Sequence, residues 1–82
     1  MDRYHFNIED GDPFHDPDGT ACASLDDARV EAVKILAQTL RDKPAEFWRH
    51  EHLEVSVTDP SGLILFCVRA SAHDAPVLSG RG

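Results

Sequence analysis

From Leu53 to Thr58, apolar Leu53, Val55 and Val57 alternate with Glu54, Ser56 and Thr58. A period of two sends one set to a buried face and the other to water. Asp59-Pro60-Ser61-Gly62 then supplies a turn, because Pro presets φ and Gly tolerates a positive one. The return segment, Leu63 to Val68, is apolar at every position. A strand apolar on both sides wants cover on both faces, which makes it the expected central strand. Near the start, Tyr4, Phe6 and Ile8 alternate with Arg3, His5 and Asn7, a second half-buried strand rich in aromatics. Glu9-Asp10-Gly11-Asp12-Pro13 ends it. Phe14-His15 and Thr20 to Ala23 are short edge candidates on either side of a further turn, Asp16-Pro17-Asp18-Gly19.

The period changes after Ala23. Leu25, Ala28, Ala32, Ile35, Leu36 and Leu40 fall on one helical stripe, with Arg29, Glu31, Lys34 and Gln38 outside its centre. Ser24 is the expected N-cap, Asp26 and Asp27 suit the positive end of the helix dipole, and Arg41 and Lys43 suit the negative end. Pro44 stops the helix near Asp42. Residues 44–49 have room for one more turn, capped by Asp42 and carrying Phe47 and Trp48. The expected fold is α+β: a two-layer sandwich in which one amphipathic helix covers one face of a mainly antiparallel three-stranded sheet, with room for a short extra edge strand. Residues 1–71 form the single domain, and residues 72–82, rich in Ser, Ala, Pro and Gly, form a flexible C-terminal tail. On the last main strand the bulkier set, Ile64, Phe66 and Val68, is expected to face the helix. Leu65 and Cys67 then lie on the open face with His5, Asn7, Ser56 and Thr58.

Charge narrows the classes of partner. Fifteen acidic and eight basic residues give a formal net charge of −7, which disfavours nucleic-acid backbones and anionic membranes. No apolar run reaches membrane-spanning length, and Met1-Asp2-Arg3-Tyr4 lacks a signal-peptide pattern. Cys22 and Cys67 fit two reduced thiols better than a disulfide framework. The expected setting is cytoplasmic.

Candidate chemistry is sparse. Asp16-x-Asp18-Gly19 resembles part of a calcium loop, but Phe14 stands at its first ligand position and Leu25 where a closing Glu belongs. Turn chemistry is the preferred reading. His50 and His52, two apart on a strand, would share a face and with His5 offer an alternative metal site, short of the ligands zinc requires. Cys22 precedes the helix N-terminus, where the dipole would lower its pKa; a small apolar filler is the preferred role. No nucleotide loop, Ser-His-Asp order or cofactor motif occurs, so no catalytic, cofactor-binding or metal residue is assigned. Phe47-Trp48 are consecutive, so one is expected to cap the core and the other to stand half exposed, available as an anchor for a partner.

Four pieces, Arg3-Tyr4-His5-Phe6-Asn7, Asp16-Pro17-Asp18-Gly19, Leu25-Asp26-Asp27-Ala28-Arg29-Val30-Glu31-Ala32 and Val55-Ser56-Val57-Thr58-Asp59-Pro60-Ser61-Gly62, together resemble domain of unknown function 6894, a family of small proteins frequent in alphaproteobacteria. The likeness runs from about Arg3 to Val68; Phe47-Trp48 and Cys67 depart from the pattern. It implies a bacterial cytoplasmic protein and leaves the activity open. A strand, an acidic turn and a Leu-Asp-Asp-Ala helix are also similar to the sheet domain of HicB-type antitoxins, without their DNA-binding segment. The resulting expectation is a protein that is not an enzyme and uses no cofactor. It acts as a protein-interaction module, as a homodimer or with a small protein partner, and binds neither nucleic acid nor membrane. The candidate interface is Leu65, Cys67, Phe47 and Trp48. The alternatives are an antitoxin-like regulator or a metal-binding protein using His50 and His52.

Overall fold

Alternating strand segments and one long amphipathic helix build an α+β domain in the computed structural model, which describes residues 2–79. The elements follow in the order β1 (Asp2–Glu9), β2 (Thr20–Cys22), α1 (Leu25–Asp42), α2 (Pro44–His50), β3 (His52–Thr58), β4 (Ile64–Ser71) and α3 (Pro76–Ser79). The four strands form one open antiparallel sheet in the order β2-β1-β3-β4. Across it, Phe6 lies opposite Val57 and Val57 opposite Phe66, while Ile8 lies opposite Val55 and Val55 opposite Val68. These two apolar rows run under α1.

The core is the product of the two periods. Tyr4, Phe6, Val55 and Val57 from the sheet meet Ala28 and Ala32 from the helix, with Cys22 at the margin and Ile35, Leu36, Phe66 and Val68 around it. Ala28 and Ala32 are fully buried; their small side chains let the helix backbone approach the sheet closely. The helix begins where the sequence indicates. Ser24 is extended and its Oγ accepts the Asp27 N–H at 3.1 Å, satisfying one orphan donor of the first turn. Ser24→Ala is expected to lower unfolding free energy by about 1 kcal/mol. An unchanged urea midpoint would show that this cap contributes nothing.

The interior strands are β1 and β3, not β4; β3 is the one the apolar run was expected to be. Leu53, Val55 and Val57 are its best-buried residues, and both sides of its backbone are paired. In a sheet with one wet face, strict alternation with complete burial marks the middle strand, whereas an apolar run presumes cover on two faces. β4 lies at the edge, and its apolar run stays partly in solvent. The pairing of β3 with β4 also slips between Val57 and Thr58, where Ile64 rather than Leu65 opposes Thr58. One extra residue reverses the parity of a strand. Ile64 therefore leaves the helix-facing set, sharing a surface with Thr58 and remaining 60% exposed. Phe66 and Val68 keep the expected orientation against the core.

Two further expectations change at α2. Its N-cap is Lys43, with no side-chain cap bond, so Asp42 does not cap it. The helix also runs through His50, and Glu51 (φ 61°) turns the chain into β3. His50 is thus helical and shares no strand face with His52. Pro76–Ser79 forms one helical turn within the expected tail; residues 80–82 of that tail, like Met1, lie outside the described residues.

Candidate functional site

The connector between β1 and β2 is a folded part of the sheet. Ile8 and Phe14 exchange backbone bonds of 2.9 and 2.8 Å, and the ladder resumes with Tyr4 opposite Thr20. Between these points β1 spends three residues, 5–7, against five, 15–19, in the return. The excess is folded into Asp16-Pro17-Asp18-Gly19, and the Asp16 carboxylate closes the gap in the ladder. One of its oxygens accepts the Phe6 N–H at 3.2 Å, and the other accepts those of Gly19 at 3.1 Å and Asp18 at 3.3 Å. The Asp16 N–H in turn donates to Asn7 Oδ1, and His5 Nδ1–H donates to the Asp16 carbonyl. Arg3 Nη1 donates to the Asp18 and Gly19 carbonyls. Partial burial pulls the Asp16 pKa upward, but the Gly19, Phe6 and Asp18 N–H groups and the nearby His5 outweigh it, holding the carboxyl below its usual value.

Among the described residues, the open face carries a shallow depression of about 430 Å³ between this connector and the β3–β4 turn. His5, Asn7, His15, Ser56, Thr58 and Ile64 are among its walls. Its two carboxylates are committed to backbone. Asp16 serves β1 and its own turn. Asp59 accepts from Ser61 Oγ at 2.6 Å and from the Ser61 and Leu63 N–H groups, and the Ser61 hydroxyl is the leading cause of its lowered pKa. Both Asp16 oxygens and Asp59 Oδ1, which a calcium or acid–base reading would use, are thus already engaged in holding local structure.

The three histidines of the metal reading, His5, His50 and His52, do not converge. His5 pairs with Thr58 at one end of β3 and His52 stands at the other, six residues or roughly 20 Å away at about 3.3 Å per residue. The His50 ring packs on Gly11, whose φ is +97° and which has no room for a Cβ. Gly11→Ala should therefore destabilise by at least about 1 kcal/mol. Removing the ring with His50→Ala should recover only the steric part, since the backbone remains left-handed; full recovery in a melting comparison would contradict this. Among the described residues, no three His, Cys, Asp or Glu side chains gather in a group able to hold a metal ion.

Cys22 is buried at the core margin, and its thiol pKa is pushed up, first by burial and then by the Glu31 and Asp27 carboxylates. That direction is opposite to the lowering expected from the helix dipole. Cys67 is exposed, opposite Ser56 on the open face. Phe47 and Trp48 divide as expected. Phe47 is half-buried near Thr39, Lys43 and Leu53, and Trp48 is 55% exposed, edge-on to Phe47 with ring centroids 6.4 Å apart. The four candidate interface residues occupy two places, however. Leu65 and Cys67 lie along β4, and the aromatic pair lies on α2, at the opposite end of the sheet from the β3–β4 turn.

What distinguishes this surface chemically is backbone and apolar area. The Ala72 N–H donates to the Glu51 carbonyl at 3.0 Å, and the two residues continue the β3–β4 register. This sets the phase of the ladder: residues 66, 68 and 70 turn their backbone groups toward β3, so Cys67, Arg69 and Ser71 turn theirs outward. Among the described residues no strand pairs with that side. Leu63, Ile64 and Leu65 at the start of the edge are 63%, 60% and 40% exposed. Sequence reasoning missed the edge because it took the apolar run for a central strand.

No helix among the described residues is long and apolar enough to cross a membrane. Neither a curated protein nor a solved structure matches the chain. One family model does, over residues 3–71, nearly the whole of the described sheet and helix layer, and the chain belongs to that family, the domain of unknown function DUF6894.

Proposed function

We propose that this domain is a non-catalytic protein-interaction module that works as a homodimer through the β4 side of its sheet. The observation that carries the reading is the eight-residue edge strand β4, whose outer side meets no strand among the described residues, with exposed Leu63, Ile64 and Leu65 at its start. An open strand edge offers a row of backbone donors and acceptors for which another strand is the natural complement. Removing the adjoining apolar side chains from water adds about 25 cal/mol per Å² before association costs. The chemistry of the open-face depression points the same way, since both of its carboxylates are engaged in holding turns.

The test is the solution mass of the wild type and of Leu65→Lys. The wild type should scatter light as a dimer. Leu65→Lys should shift it to monomer with little change in helical circular dichroism, because Leu65 lies outside the buried core. A wild type that stays monomeric at millimolar concentration would overturn the homodimer.

A further inference from the structure

We infer that two copies join β4 to β4 in antiparallel register, with Cys67 facing Cys67 across a two-fold axis, so that two four-stranded sheets become one of eight strands. This rests on the homodimer reading above and specifies its geometry.

A two-fold contact requires that when residue i meets j, j also meets i. An edge strand meeting its own copy antiparallel satisfies this without further adjustment. The sheet faces must also match, so residues of equal parity oppose each other. Centring on Cys67 sets Phe66 against Val68 of the second copy, and Val68 against its Phe66. Aromatic and β-branched side chains make favourable cross-strand pairs. The apolar row Phe6, Val57, Phe66 would then continue into Val68, Val55 and Ile8 of the other copy without a break. Phe66 and Val68, which among the described residues have a strand neighbour on one side only, gain one on the other. On the open face Leu65 meets Arg69. Centring on Arg69 instead would set two like charges against each other, and centring on Val68 would place Phe66 against the small Ala70.

The outward backbone groups of Cys67 and Arg69 supply the new ladder, and β3 uses neither. Charge also favours this edge. The chain carries a net charge of −7, yet Ile64 to Ser71 contains no carboxylate and one Arg. A second copy supplies both the backbone groups of the edge and, on the helix-facing side, the Phe66–Val68 pairs.

The register has a direct readout. A hydrogen-bonded antiparallel pair holds its Cα atoms about 5.5 Å apart, inside the range of about 4.4–6.8 Å that a disulfide spans. In Cys22→Ala protein, leaving Cys67 as the only thiol, diamide should take up the two hydrogens of two Cys67 thiols as they close to one S–S bond. The covalent dimer should form without a change in light-scattering mass. Cys67→Ser should remain a non-covalent dimer. Cys67→Asp places two carboxylates across the axis and should halve the mass with circular dichroism unchanged. Cys67→Pro, which removes one outward N–H, should do the same. A wild-type dimer that diamide leaves uncrosslinked, or that persists in both Cys67→Asp and Cys67→Pro, overturns this register and leaves the homodimer standing. A monomeric wild type overturns both.

Discussion

Phe6→Ala should bring the domain close to unfolding at room temperature. Phe6 is 4% exposed and sits in the core row between β1 and β3, under α1. Truncating a buried Phe costs about 3–5 kcal/mol, through lost transfer energy and the cavity left behind. A chain of 82 residues has a total stability of about 4–12 kcal/mol at roughly 0.05–0.15 kcal/mol per residue. The loss is therefore comparable with the whole. Phe14→Ala is the matched control. It is the same substitution beside the same strand, but Phe14 is 53% exposed, and its cost should stay within about 1 kcal/mol. Urea denaturation of the two variants decides the matter, and equal midpoints would mean that Phe6 does not anchor the core.

The second large effect belongs to Asp16. Its carboxylate accepts three backbone N–H bonds, each charge-assisted but partly in water, so Asp16→Ala should cost about 2 kcal/mol at neutral pH. The pH dependence follows from the depressed pKa of the folded state. In the acid window the unfolded chain binds a proton more readily than the folded one, so stability falls as pH falls. The contribution is complete above the unfolded value of about 3.9 and disappears as pH drops through the lower folded value. Asp16→Asn keeps an oxygen acceptor and cannot titrate. It should flatten part of the acid limb of stability against pH, leaving the part due to Asp59, whose pKa is also lowered. An acid limb identical to the wild type would show that Asp16 is not charged and bonded in the folded state.

Asp16 also shows where sequence reading stops. Asp-Pro-Asp-Gly reads plainly as a turn, and the Asp and Gly do turn chemistry here. That the same carboxylate reaches across to the Phe6 N–H depends on the mismatch between three residues on β1 and five on the return, which only pairing reveals. The helix was legible in full because its cap, its small-residue stripe and the proline after it are local signals. Strand order was not, because it depends on which hairpin edge β1 occupies, and Leu63 to Val68 looks the same whether covered or bare. The bulge at Leu65 escapes any alternation rule, since it resets the rule it interrupts. Among the candidate residues, exposure of Cys67 and Trp48 was readable from parity and crowding. Their separation onto two parts of the surface followed from topology.

Glu51 ties three elements with one peptide unit on each side. Its N–H closes α2 on the Phe47 carbonyl at 2.6 Å, its carbonyl holds the Ala72 N–H, and its left-handed backbone turns the chain into β3 without a linker. Whatever follows Ala72 therefore leaves the sheet beside the end of α2. A handle attached directly after Ala72 would start from the end of the sheet beside α2, whereas one attached ahead of β1 would start from the opposite end, where Asp2 meets Cys22. Pulling on the C-terminal handle in a force experiment would load the Ala72–Glu51 bond first and shear β4 from β3 before α1 felt any tension.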